Sequence, residues 1–244
     1  MPKKLDTTSR VIIIGNSPSI LLHKYGKQID SYDVVIRLNR CVTKGFEKYI
    51  GEKIDIWATS HGSMIDNFVP VKYGDIKYLW KRTPKVKLNL DNCPACGHSR
   101  DFSKIITHIM YKTKDYDKHF KKYMMRFKLK HEPCTGLLTI LTSLKFYKDV
   151  TIHGFTFYTE HEKHTVEGYY RESEVDEDGK HPEDKYWNKQ IETGFGSEDE
   201  GRKKQKILKE LTTKGFSTEG SEDEGISTEP IKILNEDELG EMNL

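Results

Sequence analysis

The chain has 244 residues, 40 Lys/Arg against 38 Asp/Glu, a net charge of +2, and 35% hydrophobic residues. That length suits one large α/β domain with a sizeable core. No stretch approaches the roughly 20 consecutive apolar residues of a membrane span, the opening MPKKLDTTSR lacks an apolar signal-peptide core, and a cytoplasmic location is expected by default.

The first apolar run is β-branched, VIII at residues 11–14, and reads as a buried strand. GNSPS follows as a turn, and a short helix is expected to begin at residues 20–23. DVVIRL at 33–38 reads as a second strand, and KIDIWAT at 53–59 as a third with alternating apolar residues. DIKYLW at 75–80 reads as a fourth. Residues 101–130 read as helical, with a loop at 113–116.

After the break at Pro133, Leu137, Leu138, Leu141 and Leu144 recur at helical spacing, with Thr135 as the expected N-cap. DVTIHGFTFY at 149–158 reads as a buried strand running into a loop. Residues 159–200 are polar and aperiodic, which suits a lid or substrate loop. RKKQKILKELTTKG at 202–215 reads as a helix with a glycine stop, and IKIL at 231–234 as a last strand. GSEDEG occurs at 196–201 and again at 220–225, and both copies read as exposed acidic loops.

Charge is unevenly spread. Residues 72–130 hold 16 Lys/Arg against 5 Asp, whereas residues 171–244 hold 11 Lys/Arg against 21 Asp/Glu. The basic block suits steering of an anionic substrate or contact with an acidic surface, including a membrane surface. Its aromatics sit at core helical spacing, so nucleic acid is not the expected partner. Cys41, Cys93, Cys96 and Cys134 are too few and too scattered for a disulfide scaffold. Cys93 and Cys96 have metal-like spacing, but a structural zinc needs four ligands and no second such pair exists.

Strands alternating with helices imply a Rossmann-like α/β domain with a mostly parallel sheet covered on both faces. Ligands of such sheets sit beyond the carboxyl ends of the strands. Asn16, Asn39, Thr135, Gly136 and Tyr158 are all expected along that rim. Asparagine offers both donor and acceptor, as a nucleobase edge does, and Gly15 permits close approach of a ligand to the backbone. The turn GNSPS is neither GxGxxG nor a P-loop, which removes the main support for a dinucleotide or P-loop nucleotide. From the residues alone the chain binds some nucleotide, and an NAD or S-adenosylmethionine enzyme stays open.

Two segments resemble a known family. Residues 10–60, with VIIIGNS, DVVIRLN, GFE at 45–47 and Gly51, resemble the large sialylmotif of family 29 sialyltransferases. EPCTGLLTILTSLKFYKDVTIHGF at 132–155 resembles the small sialylmotif, and GFTFY is also similar to bacterial family 42. The segments span 51 and 24 residues and occur in the family's order.

The resemblance implies a single catalytic domain over 1–244 of the GT-A-variant sialyltransferase type, with the donor-binding core at about 10–60 and 132–158. It implies transfer of sialic acid, or a related nonulosonate or Kdo sugar, from a CMP-activated donor to a glycan or glycolipid hydroxyl, with inversion and no metal or other cofactor. By carry-over, Gly15, Asn16, Ser17 and Asn39 meet the CMP moiety. Thr135 and Gly136 lie near the ribose and the sugar carboxylate, Phe155 is a further donor-binding residue, and Tyr158 with Tyr169 or Tyr170 meets the departing phosphate. A histidine deprotonates the acceptor hydroxyl.

The family places that histidine just before the last helix, but GFGSEDEGRKKQ at 194–205 contains none. His181 is the first candidate base and His164 the second; a catalytically silent nucleotide binder is the alternative. His153 is expected in the core, and His61 near the rim. Where vertebrate members carry a disulfide between the two motifs, this chain has Val11 and Tyr147, which suits a reducing compartment. With no anchor or stem in this sequence, a bacterial or viral relative is expected.

Overall fold

A computed structural model of the chain describes residues 6–39, 43, 45–59, 76–82, 106–110, 120–129, 133–155, 198–216 and 226–234. Among these described residues seven strands form one sheet: β1 (Asp6–Ile14), β2 (Val34–Leu38), β3 (Ile56–Thr59), β4 (Tyr78–Lys81), β5 (Ile106–Ile109), β6 (Tyr147–His153) and β7 (Lys232–Ile233). Their order is β5-β4-β3-β2-β1-β6-β7, and every pair is parallel. The chain steps outward from β1 to β5, then returns to place β6 on the other side of β1. The direction of winding therefore reverses between β1 and β6, where doubly wound sheets bind ligands.

The apolar run of β1 is continuous because both of its faces are covered. Val11 and Ile13 face a core shared with α4 (Thr135–Ser143), α3 (Lys121–Met125) and α5 (Glu198–Lys214), through Leu137, Leu141, Tyr123, Ile207 and Leu211. Ile12 and Ile14 face the opposite side, against Tyr25, Tyr32 and Ile29 of α1 (Gly26–Asp30). A short helix α2 (Glu47–Ile50) joins that side and packs Ile50 against Ile20.

Several expectations change. Residues 106–109 are not helical: ITHI forms edge strand β5, with Ile106 opposite Tyr78 and Ile109 opposite Lys81. Two isoleucines and a threonine in four positions favour strand, and β4 supplies a partner. The expected helix at 20–23 is instead a 3-10 turn over Pro18–Leu21, and α1 begins only at Gly26. The first GSEDEG is not a loop, because its residues 198–201 open α5, where Asp199 pairs with Lys203 one turn on at 2.7 Å. The second copy is not among the described residues at 220–225.

Val11 and Tyr147 lie on neighbouring strands, both buried, but Val11 pairs with Val150 and Tyr147 with Asp6. Among the described residues no group of His, Cys, Asp and Glu is placed to hold a metal ion, and no helix is long and apolar enough to cross a membrane. Cys41, Cys93 and Cys96 lie outside the described residues, and Cys134 is a free thiol.

Candidate nucleotide site at the carboxyl rim

The rim is built first by glycines. The Gly15 N–H donates to the His153 carbonyl at 2.8 Å, and the Ser17 N–H to the Gly154 carbonyl at 3.1 Å, so the turn after β1 is sewn to the end of β6. A Cβ on Gly15 would stand 2.1 Å from the Gly154 oxygen. Gly154 has φ 77, a left-handed conformation that glycine adopts without penalty, and a Cβ there would strike Ile20.

Phe155 ties the two motif segments together. Its ring edge lies 3.2 Å from where a Gly15 Cβ would be and 3.0 Å from where a Gly136 Cβ would be. Gly136 itself sits in the first turn of α4, beside Leu38 of β2. Residues more than a hundred positions apart thus share one small volume at the crossover.

Thr135 is not the N-cap. Cys134 holds that position, with φ −65 and ψ 162, and makes no side-chain capping bond; Thr135 is the first helical residue and is buried. A thiol is a weak hydrogen-bonding group. The helix N-terminus therefore meets the rim without a side-chain cap of its own, a place suited to an anion or a polar ligand oxygen.

Asn16 and Asn39 stand at the ends of adjacent strands. Asn16 Nδ2 donates to the Leu38 carbonyl at 3.3 Å, the residue just before Asn39. Asn39 has φ 49, a left-handed conformation that asparagine tolerates better than most residues. Its N–H continues the ladder to the Ala58 carbonyl at 2.8 Å, and its own carbonyl accepts from the indole of Trp57 at 2.6 Å. Ser17 is buried, and its Oγ accepts from both the N–H and the hydroxyl of Ser19, so it caps the turn that follows.

Among the described residues, two cations stand at this end of the sheet. β4 ends there with Lys81 and Arg82, both half-buried, and the Arg82 N–H donates to the Thr59 carbonyl at 2.8 Å. His153, the last residue of β6, is buried as expected; burial pushes its imidazole from 6.5 down to about 4, so it is neutral at physiological pH. It meets Tyr25 edge-on at 5.4 Å on the α1 side of the sheet.

Gly15, Asn16, Ser17, Asn39, Thr135, Gly136 and Phe155 thus gather at one end of the sheet, around the β1–β6 crossover. Tyr158, Tyr169, Tyr170, His164, His181 and His61 lie outside the described residues. Gly154 and Trp57 also belong to this end of the sheet, beyond the residues expected there. The GF pair after β6 was a usable signal for Gly154, whereas only strand pairing reveals Trp57.

The profile of glycosyltransferase family 29 (sialyltransferase) matches residues 2–195. The chain belongs to this family. It is 27% identical over 156 residues to the CMP-N-acetylneuraminate-beta-galactosamide-alpha-2,3-sialyltransferase 1 of Gallus gallus, covering 60% of this chain and 44% of that protein. The Sus scrofa protein of the same name is 28% identical over 170 residues, covering 64% and 46%. A sialyltransferase-like protein 2 of Arabidopsis thaliana is 41% identical over 54 residues, 22% of this chain and 12% of that one. The chain spans less than half the length of these relatives. Among solved structures, a mammalian sialyltransferase is similar at 22% identity and a TM-score of 0.44, over 79% of this chain and 67% of that one. The sialyltransferase CstII from Campylobacter jejuni, in complex with a substrate analogue, cytidine-5'-monophosphate, is similar at 19% identity and a TM-score of 0.39, over 63% of this chain and 64% of that one.

Proposed function

We propose that this family 29 chain transfers sialic acid, or a related nonulosonate or Kdo sugar, from a CMP-activated donor to a glycan hydroxyl. The observation that carries the reading is the convergence of Gly15, Asn16, Asn39, Gly136 and Phe155 at the point where the sheet reverses its winding. Asparagine amides suit the cytosine edge and ribose hydroxyls. The first turn of α4 suits a phosphate or the donor's carboxylate. Lys81 and Arg82 favour approach of such an anion.

In the proposed mechanism the bond from the sugar's anomeric carbon to phosphate breaks as the acceptor oxygen bonds to that carbon from the opposite face. The acceptor proton passes to a histidine, for which His181 is the first candidate and His164 the second. Tyr158 with Tyr169 or Tyr170 stabilises the charge left on the CMP phosphate. The chemistry is proposed to run without a metal ion, and the acceptor to be a glycan or glycolipid. The reducing setting suggested by Val11 and Tyr147 is part of the same proposal, as is peripheral contact of the basic block with a membrane surface.

Thermal unfolding tests the donor. CMP and CDP raise the melting temperature, whereas UDP and NAD do not; protection by UDP but not CMP overturns the reading. Hydrolysis of CMP-N-acetylneuraminate tests the base. His181→Ala slows it by at least about 100-fold, the usual contribution of a general base, and equal rates remove His181 from the mechanism. The absence of a histidine at 194–205 supports a second reading, a silent CMP-binding protein. CMP protection with no turnover by the unaltered chain selects that second reading.

A further inference from the structure

We infer that Trp57 is a positioning residue for the donor: through its indole N–H it holds Asn39 in the one backbone conformation that presents its side chain to the nucleotide. This inference rests on the proposed CMP reading of the rim.

β2 stops at Leu38, and the next residue turns into the left-handed region at φ 49. Such a conformation in a residue with a Cβ is held by its surroundings rather than by intrinsic preference. Here both backbone groups of Asn39 are engaged from the neighbouring strand: the N–H by the Ala58 carbonyl at 2.8 Å, the carbonyl by Trp57 Nε1 at 2.6 Å. The carbonyl one residue earlier is held from the other side by Asn16 Nδ2 at 3.3 Å. With the peptide groups on either side of its Cα fixed, the Cα–Cβ direction of Asn39 is fixed too.

Trp57 is suited to this because it is buried within β3. It is 1% exposed and is register partner to Arg37, which is equally buried. Arg37 in turn donates from Nε to the Lys53 carbonyl at 2.8 Å and from its terminal nitrogen to the Ile50 carbonyl at 2.7 Å. The register partner of Trp57 is thus tied to the last residue of α2, Ile50, and to Lys53 beyond it. A tryptophan N–H can only donate, and the short bond to a carbonyl defines its direction. A phenylalanine would fill most of the same volume and leave the Asn39 carbonyl without this donor.

The experiment measures CMP affinity by calorimetry in the full chain, for Trp57→Phe, Asn39→Ala and the double variant. Trp57→Phe weakens CMP binding about 3- to 10-fold, the effect of one hydrogen bond. It raises the donor KM in proportion, with kcat unchanged within about twofold, because ground state and transition state share the CMP contact. The double variant binds CMP as Asn39→Ala does, since Trp57 acts only through Asn39. Substitution of β-(3-benzothienyl)alanine at position 57 removes only the N–H, keeps the packing, and reproduces the affinity loss even where Trp57→Phe folds poorly. A lower melting temperature with unchanged CMP affinity, or additive losses in the double variant, overturns the positioning role alone. Failure of the unaltered chain to bind CMP overturns the donor reading and this inference together.

Discussion

Gly15 and Gly154 face each other across the β1–β6 crossover so closely that a single methyl group would not fit: a Cβ on Gly15 would lie 2.1 Å from the Gly154 carbonyl oxygen. The same Gly15 donates its N–H to the neighbouring His153 carbonyl. Two backbones in contact leave no flexible side chain to move aside, so any substitution must push the strand ends apart.

Gly15→Ala is therefore expected to lower stability by about 2–4 kcal/mol, in the upper range for overpacking a core, and to abolish CMP protection. Urea denaturation and thermal shift read the two effects. An unchanged urea midpoint would contradict the close contact.

Gly136→Ala should be milder, because its new methyl would meet the Phe155 ring edge at 3.0 Å, and a ring can tilt. A loss of about 1 kcal/mol is expected. In a Phe155→Leu background the further cost of Gly136→Ala should shrink, since the two positions share one space. Additive losses in the double variant would show that the ring is not the obstacle.

His153 makes stability pH-dependent in a defined window. Burial, aided by His23 nearby and opposed by a hydrogen bond to the Ile20 backbone, lowers its imidazole to about 4 from 6.5. Between those values the unfolded chain binds the extra proton, so stability is full above about 6.5 and falls as the pH drops towards 4. The loss is at most roughly 3 kcal/mol. His153→Phe should flatten this part of the profile relative to the unaltered chain, as read by urea midpoints at a series of pH values. Parallel profiles for the two chains would remove His153 as the cause.

Arg37→Met should cost about 3 kcal/mol by denaturant titration, because the Ile50 and Lys53 carbonyls lose a charged donor. Arg37→Lys should recover less than half of this. A single ammonium cannot reproduce the planar fork that reaches both carbonyls. Full recovery by lysine would mean that charge alone matters at this position.

Residue patterns made much of the fold legible in advance. VIII and DVVIRL declared themselves as buried strands because both faces of a doubly covered sheet demand apolar side chains. The motif order then paired residues 10–60 with 132–155. ITHI at 106–109 was hidden because its surroundings have helical periodicity, and a four-residue edge strand exists only by virtue of the partner beside it. The first GSEDEG looked like a loop because glycine, serine and aspartate, four of its six residues, are poor helix formers in isolation. At a helix N-terminus the acidic side chains are favourable, and the rest of α5 carries them.

The sequence by itself determined that apolar strands end in Gly15-Asn16 and in Asn39, and that a helix opens at Thr135-Gly136. Those are local facts, set by composition and turn chemistry. Only the tertiary structure decided which of these ends touch. The strand order brings Gly15 onto Gly154, Phe155 between Gly15 and Gly136, and Trp57 onto the carbonyl of Asn39. Those contacts depend on which strands pair and in what register, and pairing between distant segments is an outcome of packing the whole chain rather than of any one stretch.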